Sequence, residues 1–450
     1  MSHATGPDPF IPPASENEQL SGGISRTRQV NIVVAMYTGY AMFMVLRMAP
    51  TVASSSIISN PDLGIDLEAW GKIISAGTVG AVIGKFIGGF AADNLGGRLT
   101  FTVGLIVSAL GVAAFAGASS FGMFAVAFFV ALLAKSAGWP SMAKIIVGSF
   151  RPAEYGRVWG VLATSSRVGT LVATFCLGAL LSWFSWQAML FAAASISLLV
   201  AVYFYFAIGN TSQVFTESLT STDENFLDHP TPTPHPLDGK SLGQAIVVFI
   251  SSLQFWLITG SLMGLSVMWD FLLMVPPYLT DTMGLEADKA AMASSAFPFG
   301  SLISVLAGGL VFDKLSRRAT ALLMGCLLLV AAVCILMFYV MPDLDLSHST
   351  TLTTSLALLF AFGLCVAPCY YIPMSVFSIE FGGPHSGFLI ALLDALAFGA
   401  TAVYYYFAGG WAARSWSLFL LILLGVAVWA MLTTFAFMLG EARKSEQTAG

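Results

Sequence analysis

Charged side chains are scarce in this 450-residue chain: Asp, Glu, Lys and Arg make up only 10% of it, whereas soluble domains average about 25%. Hydrophobic residues make up 57%, and the mean hydropathy is +0.83. This composition excludes a soluble globular protein, and we expect no nucleic-acid partner. Apolar runs long enough to cross a ~30 Å hydrocarbon core as helices recur along the chain. The sequence therefore predicts an all-α membrane protein embedded in the lipid bilayer.

Cysteine and histidine are also few, with five of each. All five cysteines fall inside apolar segments, where packing is their ordinary role. Cys365 and Cys369 share a helix face, but no nearby histidine or aspartate completes a metal site. Because nucleophile–base spacings and glycine-rich nucleotide loops are lacking too, we expect neither an enzyme nor a bound cofactor or metal.

Twelve apolar segments are predicted to span the membrane, and a polar, Pro/Thr-rich stretch from Asn210 to Ser241 divides them into two sets of six. Numbered as spans 1 to 12, they cover 31–56, 69–93, 99–119, 121–148, 157–183, 186–208, 250–280, 287–312, 318–341, 351–379, 385–408 and 415–440. The predicted organisation is a tail at 1–30, a six-helix bundle at 31–208, a linker at 209–245, a second bundle at 246–440 and a tail at 441–450.

Basic residues outside the apolar cores are distributed unevenly between the two sides of the membrane. With both termini in the cytoplasm, Lys72, Lys289 and Arg414 face outward. Eleven others face inward: Arg26, Arg28, Arg98, Arg151, Arg157, Lys240, Lys314, Arg317, Arg318, Arg443 and Lys444. The positive-inside rule favours this orientation. We expect a plasma membrane or a bacterial inner membrane.

An internal repeat follows spans 2 and 8. The segments read GGFAADNLGGR and GGLVFDKLSRR, and their aspartates, Asp93 and Asp313, lie 220 residues apart. A duplicated six-helix half explains this spacing. The glycines allow close helix approach, while the acidic and basic side chains can pair across the helix ends.

These loops resemble the signature loop of the major facilitator superfamily, and the resemblance covers nearly the whole chain beyond the N-terminal tail. It implies two six-helix bundles around a central cavity and alternating access by rocking of one half against the other. It also implies that the loop residues govern gating rather than substrate choice. In this chain they are Asp93, Arg98, Asp313, Arg317 and Arg318.

Within that superfamily, three stretches resemble the organophosphate:phosphate antiporters: GYAMFMVLRMA (39–49), GKFIGGFAAD (84–93) and AGWPSMAKIIVGSFRPAEYGRVWGV (137–161). The resemblance places Tyr40, Arg47 and Lys85 at substrate-site positions, and Trp139 in the third stretch is a further substrate-site candidate. The sequence departs from the family at two positions. The family's seventh-helix arginine falls near Met268, and its fifth-helix histidine falls at Ser166.

Four basic residues lie within predicted spans of the first half: Arg47, Lys85, Lys135 and Arg167. A cation costs roughly 2.5–3.5 kcal/mol in the bilayer core, so each indicates a cavity or a partner. Arg47 shares a helix face with Tyr40 and is predicted to bind an anion, the alternative being a structural cation. Lys85 lies about 100° off the stripe formed by Gly80, Gly84 and Gly88, which predicts that it faces the cavity. Lys135 and Arg167 are further substrate-site candidates.

Only two acidic residues lie well inside the bilayer, Asp270 in span 7 and Asp394 in span 11, both in the second half. They are either partners of the cations across the interface or proton carriers, and both interpretations stay open. Four buried cations against two buried acids leave an excess of two positive charges, which an anionic substrate would relieve. Pro140 is expected to bend span 4, and Pro368 and Pro373 to break span 10, as helices often do near binding sites.

The sequence therefore predicts a secondary active transporter for a small organic anion, a phosphate ester or a carboxylate, as exchanger or proton-coupled carrier. Protons or phosphate are the candidate coupling ions, and a monomer is expected. One alternative is a proton symporter for an amino acid or another zwitterionic or neutral solute. A further alternative is a transporter-like membrane sensor.

Overall fold

The computed structural model describes residues 25–151, 154–209, 235–344 and 347–449. Within these ranges the chain is helical throughout and contains no strand. Twelve helices are long and apolar enough to cross a membrane, which confirms the predicted number of spans.

The helix bounds follow the predicted spans closely, although several spans are built from two or three segments. Spans 1 to 6 comprise Arg26–Val52 with Ser54–Ile58, Leu67–Leu95, Gly97–Ala116, Phe121–Lys135 with Gly138–Val147, Tyr155–Val172 with a π turn Ala173–Leu177 and Gly178–Leu181, and Trp186–Ile208. Spans 7 to 12 comprise Leu253–Asp270 with a 3₁₀ turn Phe271–Leu273 and Val275–Met283, Ala287–Ala293 with Ala296–Val311, Arg317–Val340, His348–Gly382, Ser386–Arg414, and Trp416–Ala449. A short helix, Leu242–Ser251, precedes span 7.

The two halves repeat the same packing. Spans 1 and 5, 1 and 6, 2 and 4, and 3 and 6 pack together in the first half, and the corresponding spans 7 and 11, 7 and 12, 8 and 10, and 9 and 12 do so in the second. The halves meet mainly where span 2 packs on span 11 and where span 5 packs on span 8. This repeated pairing agrees with the duplication that the two sequence segments indicate.

Glycines at equivalent positions explain how span 2 approaches span 4 and span 8 approaches span 10. A methyl group added at Gly80 would lie 2.3 Å from the carbonyl oxygen of Phe129, and one at Gly300 would lie 2.0 Å from that of Phe360. Real side chains do not fit at such distances, so only glycine permits these backbone contacts. Gly80 and Gly300 are 220 residues apart, as are Asp93 and Asp313.

One end of the molecule is tightly closed between the halves. We call it the far end; the other, where span 1 begins and span 12 ends, is the termini end. At the far end Thr280 Oγ1 donates to Ser55 Oγ at 3.0 Å and Trp70 Nε1 donates to the Leu273 carbonyl at 3.4 Å. A methyl group on Gly71 would lie 2.7 Å from the backbone nitrogen of Gly409. Span 2 therefore meets span 11 backbone to backbone there.

Two predictions about interrupted helices had different outcomes. Span 4 is interrupted at Ser136–Ala137, just before the Trp139–Pro140 pair. The predicted break in span 10 was wrong, because His348–Gly382 is one continuous helix that contains Pro368 and Pro373. A proline removes a single backbone donor, and a helix packed on both sides tolerates that local loss. Span 12 remains helical to Ala449, through most of the segment predicted as a tail.

Candidate functional site

Two ion pairs join the halves near the middle of the spans. Arg47 Nη2 of span 1 bonds Asp270 Oδ1 of span 7, and Lys85 Nζ of span 2 bonds Asp394 Oδ2 of span 11. In each pair the first half supplies the cation and the second half supplies the acid. Of the two roles left open for the acids, partnership with the cations is the one observed in this conformation.

The Arg47–Asp270 pair is almost completely buried. The side chains are 11% and 4% exposed, and Asp270 Oδ2 has no hydrogen-bond partner among the described residues. Asp270 is the last residue of the helix Leu253–Asp270, directly before the 3₁₀ turn Phe271–Leu273. In this conformation Arg47 is occupied by a carboxylate, so its expected role as an anion ligand stays a prediction.

The Lys85–Asp394 pair is more open. Its side chains are 19% and 27% exposed. Tyr370 donates from its hydroxyl to Asp394 Oδ1 at 3.0 Å. The Lys85 ammonium lies 3.7 Å from the ring centre of Phe398, and the Arg47 guanidinium lies 6.0 Å from the same ring. Phe398 therefore lies between the two ion pairs.

Arg167 is the most deeply buried of the four cations, with 5% of its surface exposed. Its guanidinium carbon lies 4.8 Å from the ring centre of Trp269 and 4.2 Å from that of Tyr371, both in the second half. Nη1 donates to the hydroxyl of Ser166. Among the described residues Nε has no hydrogen-bond partner and no carboxylate pairs with Arg167. Stacking between aromatic rings stabilises the cation but leaves an N–H donor in the guanidinium plane unused.

Lys135 ends the first segment of span 4 and is half-buried. No carboxylate lies within ion-pair distance of it in the part of the chain that the structure describes. The adjacent Ser136 donates to the Ala81 carbonyl of span 2 at 3.0 Å, which fixes this helix interruption beside span 2. Arg47 and Lys85 act electrostatically on Lys135 as like charges. Within the described ranges, Lys135 and Arg167 are thus the two intramembrane cations without an acidic partner.

Tyr40 and Trp139 lie in an aromatic row within the first half. Their ring centres are 5.5 Å apart, and Trp139 lies 4.6 Å from Trp159. Tyr40 is 8% exposed, whereas Trp139 is 43% exposed. The structure therefore brings Tyr40 and Trp139 together within the first half, and their role in substrate binding stays a prediction.

The predicted gating residues lie at the termini end, and the contacts shown for three of them stay within one half. Asp93 Oδ1 pairs with Lys144 Nζ at 2.7 Å, and Arg317 pairs with Glu380 at 2.8 Å. Arg98 donates to the Tyr205 carbonyl at 2.9 Å. Arg318 is the second residue of span 9. The backbone of Asp313 lies in a 3₁₀ turn, and its side chain is outside what the structure describes.

Sequence reasoning did not identify the aromatic side chains that surround these charges as site residues. They are Trp269, Tyr370, Tyr371 and Phe398. The available signals were the adjacency of Trp269 to Asp270 and the position of Tyr370 and Tyr371 between Pro368 and Pro373. Within residues 25–151, 154–209, 235–344 and 347–449, no group of three or more His, Cys, Asp or Glu side chains is arranged to hold a metal ion.

Twelve spans in two repeated bundles, with opposite charges meeting between the bundles, define a membrane protein with the architecture of a two-bundle carrier. The chain belongs to the Major Facilitator Superfamily, whose family model matches residues 32–394.

Curated relatives bear out the resemblance to the organophosphate:phosphate antiporters. A "Probable hexose phosphate transport protein" of Chlamydia muridarum is 24% identical over 304 residues, which are 64% of this chain and 65% of the relative. The human "Glucose-6-phosphate exchanger SLC37A1" is 24% identical over 67% of this chain and 63% of its own length. The "Membrane sensor protein UhpC" of Escherichia coli is 21% identical over 63% and 65%. The matches span less than two thirds of the length of these relatives.

Solved structures agree with the fold over more of the chain. A mutant of the nucleoside transporter NupG superposes with a TM-score of 0.66 at 13% identity and covers 90% of this chain and 99% of its own. A bacterial homologue of the human lysosomal transporter Spinster, inward-facing and unoccupied, has a TM-score of 0.64 at 15% identity, covering 92% and 95%. At this identity the comparison shows the fold alone.

Proposed function

We propose that this chain is a secondary active transporter that moves a small organic anion, a phosphate ester or a carboxylate, by alternating access. Exchange and proton coupling are both compatible with the fold. The observation that carries the proposal is the pair of intramembrane cations, Lys135 and Arg167, that have no acidic partner among the described residues. Arg167 stacks on two rings of the second half, and Lys135 lies within electrostatic range of both ion pairs.

Charge accounting supports an anionic substrate. Two of the four intramembrane cations are neutralised by Asp270 and Asp394, so the remaining excess of two positive charges is located at Lys135 and Arg167. Unpaired cations at this depth are unfavourable unless water or a bound anion compensates them. A negatively charged substrate between the halves removes this cost.

The ion pairs also support one substrate class over another. A zwitterionic solute such as an amino acid needs a carboxylate for its ammonium group. In this conformation Asp270 and Asp394 are both engaged by cations of the protein. The arrangement therefore favours an anion over a zwitterion. The names of the relatives described above, which mention hexose phosphate and glucose-6-phosphate, support the same class. So does that of a "Hexuronate transporter" of Bacillus subtilis, which is 24% identical over 60% of this chain and 61% of its own length.

In this proposal both termini are cytoplasmic, because the positive-inside rule places the termini end there. The halves are in close contact at the far end, whereas Lys85 and Asp394 are reached by solvent. The described conformation then corresponds to a carrier closed to the outside and open to the cytoplasm. A plasma or bacterial inner membrane is the proposed location.

A membrane sensor is the second candidate, favoured by the similarity to UhpC. It would bind the anion through the same cations without moving it. Measuring binding and transport on the same preparation distinguishes the sensor from the transporter, because the sensor binds the anion without transporting it.

The test is uptake by purified protein in proteoliposomes, with labelled glucose 6-phosphate and a labelled hexuronate as anions and labelled glucose as the matched neutral solute. We expect saturable uptake or exchange of at least one anion and none of glucose. Transport of glucose at the same rate would refute the anion site. Binding of an anion without transport, in either direction and with or without a pH gradient, would establish the sensor instead.

A further inference from the structure

Asp394 is held by groups from two different spans. Lys85 of span 2 bonds its Oδ2, and Tyr370 of span 10 donates to its Oδ1. The ring of Phe398, one helical turn further along span 11, lies against the Lys85 ammonium. The carboxylate therefore depends on one cation from the opposite half and one neutral hydroxyl from its own half.

More distant titratable groups also face this pair. The electrostatic interactions of Lys85 and Lys135 extend to Arg47 of span 1 and Asp270 of span 7, and those of Tyr370 extend to Tyr371. Tyr40 of span 1 is within electrostatic range of Asp394 as well. Of all these groups, only Lys85 makes an ion pair with Asp394. Losing Lys85 would leave the carboxylate without a bonded countercharge.

The two intramembrane acids differ in the access that water has to them. Asp270 is 4% exposed and paired with an arginine, which does not release its proton in proteins. Asp394 is 27% exposed and paired with a lysine that is itself 19% exposed. Water reaches the second pair, so a proton can be exchanged with solvent at Asp394 but not readily at Asp270.

We propose that Asp394 is the residue that couples anion movement to a proton. An anionic group of the substrate forms an ion pair with Lys85 in place of Asp394. The Asp394 carboxylate, now without its cation, accepts one proton from solvent. Lys85 remains an ammonium ion throughout, so each cycle carries one proton with each substrate anion. When the anion is released on the other side of the membrane, Lys85 pairs with Asp394 again. Asp394 then releases its proton to that same side. This inference rests on the proposed anion transport and adds its coupling residue.

The physical reason is the cost of an uncompensated charge. Asp394 is mostly buried beside Phe398, and a single tyrosine hydroxyl is its remaining bonded donor, so its charged form becomes unfavourable once its cation is withdrawn. Protonation removes that cost and turns the carboxyl group into a donor. Asp270, the partner of Arg47, is less suited to this role, because the Arg47–Asp270 pair is closed to solvent.

The test measures protons taken up when the anion binds to purified protein in a weakly buffered solution with an indicator dye. The probe is whichever of the two anions, glucose 6-phosphate or the hexuronate, gives a signal in the uptake test. The parent protein and Asp394→Asn are compared at one pH, so that any proton contributed by the substrate itself cancels. We expect a difference of about one proton per bound anion. Asp281→Asn is the matched control, because Asp281 lies at the far end, bonded to the indole of Trp416, and should behave as the parent.

In proteoliposomes Asp394→Asn should retain exchange of the anion for itself while losing accumulation driven by a pH gradient. If it does not fold, Asp394→Glu keeps an acid at the position and should retain the proton uptake. Equal proton uptake per bound anion in the parent and Asp394→Asn would overturn the inference but leave the anion carrier intact. Absence of anion binding in the parent would instead overturn the proposed function.

Discussion

Replacing Arg167 should separate anion binding from folding more cleanly than any other change in the site. Arg167 has no acidic partner among the described residues, so Arg167→Gln leaves no carboxylate unpaired. A charged hydrogen-bond pair buried at an interface is worth roughly 2–5 kcal/mol, so affinity for the anion should fall by more than about thirtyfold. Trp269→Leu removes one stacking ring, worth about 0.5–2 kcal/mol, and should weaken binding by roughly two- to thirtyfold.

Equilibrium binding of a labelled anion to purified protein is the appropriate assay, because transport rates mix binding with conformational change. Arg414→Gln, the same substitution at an exposed residue that ends span 11, is the matched control. Its affinity should equal that of the parent. Binding by Arg167→Gln within threefold of the parent, in a protein that remains folded, would refute the assignment of Arg167 to the anion site.

Two further predictions concern the ion pairs. Asp270→Asn leaves Arg47 buried without a countercharge and should destabilise the solubilised protein by about 3–5 kcal/mol, measured as a lower midpoint of thermal unfolding. Replacing both Arg47 and Asp270 with apolar residues should recover most of this stability. An unchanged midpoint for Asp270→Asn would contradict the buried pair. Asp93→Asn should slow transport while keeping equilibrium affinity within a few-fold, because we propose a gating role for the exposed Asp93–Lys144 pair at the termini end. Lys144→Gln should reproduce the effect, and a collapse of affinity would contradict the gating role.

The spans and the repeat could be predicted from the sequence because they follow from local properties. Apolar length determines which segments cross the bilayer, and the 220-residue spacing of Asp93 and Asp313 reports the duplication. The interruptions were less predictable. Pro368 and Pro373 lie in a continuous helix, because the neighbouring spans support span 10 where a backbone donor is missing. Proline alone does not report the support that a helix receives from its neighbours.

The six intramembrane charges were also visible in the sequence, since each interrupts an apolar run. Their pairing was not. Which acid meets Arg47 and which meets Lys85 depends on how the two bundles are placed against each other, and no local pattern records that. The rings on Arg167 were missed for a similar reason: Trp269 and Tyr371 belong to the other half and look like ordinary packing residues in their own spans.

The placement of Arg167 explains how a bound anion could influence both halves at once. Arg167 belongs to span 5, but its guanidinium stacks on rings of spans 7 and 10, so an anion held there is attached to the first half and lies beside the second. Opening the far end requires the backbone contact between Gly71 and Gly409 to part. Fourteen residues along span 2, about 21 Å away, Lys85 holds Asp394 across the same pair of helices. In the proposed carrier, a ligand that binds Arg167 and draws Lys85 away from Asp394 would weaken this bond between the halves. The stacked Arg167 would meanwhile keep the halves aligned, and rocking about the middle of the membrane requires both effects.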